Sequence, residues 1–569
     1  MSIPVRTIAW SGALPVCALT MMLGCGLSLA TAQHQHDENH VVPEGAEVPL
    51  FEGLGDHSFP ITTDSEAAQA YFDQGLMLTY GFNHFEAVRA FKEAARQDEA
   101  CAMCYWGVAL ALGPHINAPM MPEAVEPAYA ALQQAQAHAP DASAREQAYI
   151  EALSHRYEAE PPEDRSGLDH AYADAMRDLA AAYPDDLDAQ TLFAESLMNL
   201  VPWNYWAEDG SPRAETAELV DVLEAVRESA PDHVGANHLY IHAIENSPEP
   251  GRAEDAADRL AAADIQIGHM IHMPSHIYAR IGRWHDASTA NEKALAADAG
   301  YLGAYEVEGL VPILYHPHNG HFLAWTAGME GRSEVATQAA IELAEGTSPE
   351  MAAQLPFLNN FIIAPLLTHI RFEDWDALLA LPEPATEAVF QRGMWHYGRG
   401  LAHARQGDLG DAAAEAEELS RITDSEAAAT LELPEAFLPG ETMLRIADHT
   451  LSGEIALAQG DGEAAVESLR QAVTLQDGLP YFEPPYWFVS ARLDLGRALL
   501  ELDRAEEAEA VFRADLDQYP HNGWALRGLA ASLEAQGKAT DEVNSRLAEA
   551  WQHADVAFAA NGVGLTGLD

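Results

Sequence analysis

The chain has 569 residues, 48% of them hydrophobic, which is enough for several domains or one long repeat array and too apolar for a disordered acidic tail. Against 89 Asp and Glu it sets 30 Lys and Arg, a net charge of −59, with lysine only at Lys92, Lys293 and Lys538. A charge of that sign repels nucleic acid and anionic lipid, attracts cations, and otherwise serves surface solvation.

Residues 1–32 read as an export signal. Arg6 is the only charge before the uncharged stretch 7–32, and "ATA" before Gln33 suits a small-residue cleavage site, although Pro15 and scattered glycines weaken the stretch as a membrane span. Cys25 in "MLGCG" is an alternative lipid-attachment point, with Met22 where leucine is usual. No other apolar run is long enough to span a bilayer, so the mature chain is expected to be periplasmic or secreted, or tethered through Cys25. Residues 33–60 form a polar segment, and its "QHQHDENH" start is a loose metal-capture arm or a plain disordered terminus.

From Ser65 to Ala560, alanine-rich segments of 3.6-residue periodicity alternate with short Gly and Pro turns, and no alternating strands stand out. "YFDQGLMLTYGFNHFEAVRAFKEAARQD" carries Gly75, Ala87, Phe91 and Ala94 at offsets that "LGRALLELDRAEEAEAVFRADLDQYP" repeats with Gly496, Ala508, Phe512 and Pro520. These offsets resemble the tetratricopeptide (TPR) repeat, whose period is about 34 residues. The resemblance implies an all-α fold, a TPR-type α-solenoid of antiparallel helix pairs, over most of the mature chain. The strings "GFNHFEAVRAF", "CAMCYWGVALALGP", "HMPSHIYARIGRWHDA" and "HPHNGHF" resemble a group of exported bacterial TPR proteins, to which no activity is attached.

In chain order, TPR-like repeats occupy 61–200. They include Cys101 and Cys104, whose "CAMC" spacing suits a local disulfide in an oxidising compartment or two thiolate ligands. Tyr105 stands where c-type haem attachment needs histidine. His84, His115 and Asn117 sit near repeat turns, as turn residues or substrate-facing groups. An aromatic loop and helix cover 201–232, the loop itself running over 199–213. His-rich repeats follow over 233–345, with an insertion at about 298–317. C-terminal repeats fill 346–569, broken by the aromatic, proline-rich "PYFEPPYW" at 480–487. Such insertions either cover a solenoid's groove or pack as linkers.

The repeat then serves as a ruler. Taking Ala253, Ala287 and Ala336 as origins, fifteen residues earlier stand His238, His272 and His321. Eleven earlier stand His242, His276 and Trp325, and eighteen earlier Gly235, His269 and His318. These offsets are three and four apart, so they share one stripe of the first helix, which Glu245 continues. The TPR resemblance implies that first helices line the concave groove, at a spacing of roughly 10 Å that lets imidazoles share an ion.

Neutral imidazole suits a transition metal, zinc or copper first. The expected ligands are His238, His242, His272 and His276, with His269, His318, His321 and Glu245 nearby, on one or two ions. "HLYIH" lacks the HExxH base, so no peptidase is implied. The expected function is metal binding in the groove, with Lewis-acid catalysis on a small substrate left open. The alternatives are a metal-free scaffold for a peptide or protein partner, with the histidines as contacts, and metal storage or delivery.

Overall fold

The computed structural model describes residues 48–558 apart from 306, 434 and 435. The export segment 1–32, Cys25 and the polar stretch 33–40 lie outside the described residues. Within them the chain is an all-α solenoid of antiparallel helix pairs of TPR type, and the sheet content is one two-residue pairing, Glu432–Leu433 against Leu438–Pro439. No helix among the described residues is long and apolar enough to cross a membrane.

The helices start where side chains satisfy their first free N–H groups. Ser65 accepts from the Ala68 amide and Asn83 from Glu86, while Ser143 and Glu146 form a reciprocal capping box. The pairs then interlock through a large ring set among glycines. Phe91, on helix His84–Gln97, is fully buried, and a Cβ added at Gly75 or Gly107 would come within 2.7 or 2.3 Å of its ring. Phe512 does the same near the other end, between Gly496 and Gly528. Each such ring contributes about 1.5–3 kcal/mol by burial, which explains the shared offsets.

Cys101 and Cys104 are joined as a disulfide across the first turn of helix Ala102–Ala111, so neither is a thiolate for metal. The expected insertion at 298–317 is shorter than the sequence suggests. Helix Trp284–Ala304 runs on through its first residues, and a π-helical turn, Val311–Tyr315, leads into helix His316–Met329.

The superhelix also folds onto its middle from both sides. On the N-terminal side Gln266 N–H donates to the Gly53 carbonyl (2.6 Å) and Asn83 Nδ2 to the Tyr301 hydroxyl (3.2 Å). On the C-terminal side Trp284 Nε1 donates to the Pro520 carbonyl (2.9 Å) and Trp524 Nε1 to Gly328 (3.0 Å). Gly282 makes this approach possible. Its φ is +82°, and a Cβ there would lie 2.2 Å from the Pro520 oxygen. Asp555 accepts from the amides of Ser333 (2.7 Å) and Glu334 (3.0 Å), capping helix Ser333–Glu345 from far along the chain. Asp555→Ala is expected to lower stability by about 1 kcal/mol in urea unfolding, the usual worth of a cap; a change below a few tenths would show that the latch carries no load.

Candidate metal centre

Sandwiched in this way, the histidine stripe is not groove surface. His238 and His272 are 0% exposed, His242 and His321 2%, and His269 and His276 5%. Four helices supply them: Val234–Ile244, Gly268–His272, Pro274–Ile281 and His316–Met329. The break between the second and third falls at Pro274, which has no N–H to continue the ladder.

The imidazoles sort into two sets of three. His238, His242 and His269 bring one nitrogen each within 4.8 Å of one another, and so do His272, His276 and His318. Each set follows one rule: the histidines fifteen and eleven before the origin in one repeat, joined by the histidine eighteen before it in the next. The expected grouping therefore needs correction. His238, His242, His272 and His276 do not form one shell; His269 and His318 complete two separate sets. His321 belongs to neither. It packs against Phe361 and Phe488 (both 5.0 Å between centroids), and burial depresses its pKa to about 3. The third repeat has Trp325 where a second histidine would be needed, so the pattern ends there.

Hydrogen bonds behind four of the rings decide which of their nitrogens points inward. His238 Nδ1 lies 2.6 Å from the Tyr80 carbonyl, which can only accept, so the proton is on Nδ1 and the Nε2 lone pair faces inward. His272 Nδ1 meets Asn291 Oδ1 at 2.6 Å, and the Asn291 amide nitrogen is used on the Ala287 carbonyl, which sets the same tautomer. His242 Nδ1 faces Glu245 at 3.1 Å, and His276 Nδ1 faces both Glu245 and Glu483 at 2.7 Å. Oxygen acceptors behind imidazoles are the usual outer support of a metal-binding histidine. Glu245 stands behind both sets: Oε1 accepts from His242, and Oε2 pairs by charge with His276, whose hydrogen bond goes to Glu483.

The inward nitrogens meet in pairs. His272 and His276 place Nε2 atoms 2.8 Å apart, and His238 and His269 theirs 3.1 Å apart. Two lone pairs at that range repel unless a proton or a cation lies between them. Burial, reinforced by neighbouring imidazoles, holds His238, His269, His272 and His318 well below their ordinary pKa, in the neutral form that ligates. His276 is the exception: burial opposes its charge, but Glu245 and then Glu483 carry it up to about 10, so one proton can bridge this pair. In the first set neutral His269 supplies the proton: its Nδ1 has no acceptor, so Nε2–H donates to the His238 Nε2 lone pair. His242 Nε2 and His269 Nδ1 are buried with no hydrogen-bond partner.

Aromatic rings wall the centre. Phe82, in the left-handed region at φ 57°, lies against His238 (4.5 Å) and His242 (5.7 Å). Tyr315 stacks on His269 (4.5 Å), and Phe322 contacts His276 (4.8 Å). The loop 199–213 covers one side, Trp203 reaching His242 at 5.2 Å, and 480–487 the other. His84 and His115 stand 4.2 Å apart behind Phe82, and Asn117 Nδ2 donates to the Tyr315 hydroxyl (3.3 Å), so these three back the wall.

Glu483 was not foreseen, because it reaches His276 from a distant loop. Its only sequence signal is a lone acid inside "PYFEPPYW". Glu483→Gln is expected to weaken one ion about 10–100-fold in a competition titration, as loss of outer support does elsewhere; unchanged affinity would remove Glu483 from this role.

A third cluster, His57, Asp188 and His233, was also missed, and its chemistry differs. Asp188 accepts from the Tyr80 hydroxyl (2.6 Å) and from His57 Nε2 (2.9 Å), with His233 Nε2 3.6 Å away. His233 Nδ1 accepts the Ala236 amide (3.1 Å), so its proton sits on Nε2, facing Asp188. The lone pairs there belong to the Asp188 carboxylate, and they are engaged by the Tyr80 hydroxyl and the His57 ring. The cluster ties the N-terminal segment to the repeats, and although burial alone would raise Asp188, His233 and His57 hold it well below the usual carboxylate range.

No family model matches the chain, and no curated protein matches it. Solved helical-repeat structures align along most of its length. A human IFIT1 dimer with m7Gppp-AAAA is 12% identical, with a TM-score of 0.28 and coverage of 86% of this chain and 91% of its own. Yeast Tom70 is 12% identical at a TM-score of 0.25, covering 86% and 92%. The P58(IPK) TPR domain is 10% identical at 0.21, covering 83% and 98%. At these scores none superposes on the chain as a whole, and the fold assignment rests on the chain's own helix pairing.

Proposed function

We propose that this chain, a TPR-type solenoid, is an exported metalloprotein that holds two transition-metal ions, one on each set of three histidines. The carrying observation is the set of outward Nδ1–H bonds from His238, His272, His242 and His276 to Tyr80, Asn291, Glu245 and Glu483, which turns their Nε2 atoms inward in two places, toward His269 and toward His318. Three neutral imidazoles suit zinc or copper and leave a fourth position for water or a small substrate, where the ion acts as Lewis acid. Export rests on the 1–32 signal pattern and on the resemblance to exported bacterial TPR proteins, and the Cys101–Cys104 disulfide suits an oxidising compartment. A peptide held through these imidazoles is less well supported, since five of the six are buried and only His318 is partly exposed.

Untagged protein purified from its own compartment is expected to carry close to two equivalents of zinc or copper by elemental analysis. Under a tenth of an equivalent of any transition metal, unchanged after zinc or copper is added, would sink the reading.

A further inference from the structure

The charge of such a centre does not balance, and this inference rests on the two-ion reading. As ligands the six imidazoles are neutral, His276 giving up its extra proton to bind. Two divalent ions bring four positive charges, and Arg280, whose Nη1 donates to the Glu245 carbonyl (2.6 Å), adds a fifth beside them. Glu245 and Glu483 return two negative charges, both groups being 8% exposed or less. Asp298, on the helix whose Asn291 holds His272, is 3% exposed and is engaged by Asn319 Nδ2 (2.9 Å), with His316 Nδ1 3.5 Å away. Counting it in full still leaves a surplus of two positive charges. The surrounding rings of Phe82, Tyr315 and Phe322 cannot screen that surplus, and uncompensated buried charge is costly.

Each set of three imidazoles also leaves a coordination position that the protein does not fill. We propose that the loaded centre takes a small oxygen-donor anion, of the carboxylate class, as its exogenous ligand. Small size follows from the enclosure. A polyanion is excluded by the net charge of −59, which repels it from the surface long before it reaches the centre.

The test uses full-length protein loaded with cobalt(II), whose visible absorption reports changes at the ion. Acetate and acetamide are titrated in parallel, because they share a shape and differ in charge. Acetate is expected to shift the cobalt bands and to bind at least about tenfold more tightly than acetamide, a difference of about 1.4 kcal/mol. With two cobalt equivalents confirmed by elemental analysis, an equal or absent response to the two probes overturns the proposal and leaves the two-ion reading standing. Failure to bind cobalt, zinc or copper at all overturns both.

Discussion

Protein carrying His272→Ala and His276→Ala together is expected to retain one metal equivalent where the unaltered chain retains two. The change removes two of the three imidazoles from one set and leaves His318 alone, which cannot hold an ion against solvent at micromolar concentrations. The loss in affinity at that position should exceed about 100-fold, the upper end for loss of outer support alone. The other set keeps His238, His242 and His269, and Glu245 still reaches His242. Truncating buried rings also opens cavities, at about 2–5 kcal/mol for a large side chain, so a control is needed. His321→Ala supplies it: that ring is equally buried but lies outside both sets, and the variant should lose stability while keeping both equivalents. Two equivalents in the double variant, or loss of metal in His321→Ala, would refute the division into sets.

Phe512→Ala is expected to cost about 3–5 kcal/mol. The ring is 1% exposed and wedged between two helices whose glycines exist to admit it, so no neighbouring side chain can collapse into the space. Hydrogen exchange should localise the loss to the helices Ala491–Glu501, Ala505–Gln518 and Gly523–Ala535, whose core is largely separate from that of the middle repeats. Metal content should not change. A loss under 1 kcal/mol would mean that these repeats close over the void.

Much of the centre was legible from residue spacing. The ruler picked out all six histidines of the two sets, because a repeat of fixed period puts equivalent positions on equivalent faces. It failed on their partnership. Equal offsets suggested that His272 and His321 are counterparts, but helices stack with an axial shift, so a position in one repeat meets a different offset in the next. So His269 rather than His272 joins His238 and His242, and His318 rather than His321 faces His272. Glu245 was found because it lies one turn beyond His242 on the same stripe. Glu483 could not be, since no local pattern links it to a residue 207 positions away.

By itself the sequence determined that this chain is an α-solenoid and that one stretch of it presents imidazole at regular intervals. Both are consequences of periodicity, and periodicity is local: 3.6 residues per turn sets the face, and the Gly and Pro turns set the pairs. Only the tertiary structure decided that the stripe is largely enclosed, that it divides into two sets of three, and which nitrogen of His238, His242, His272 and His276 points inward. Those properties depend on contacts between distant segments, on Tyr80, Asn291 and Glu483 standing behind particular rings, and on the terminal repeats closing over the middle ones.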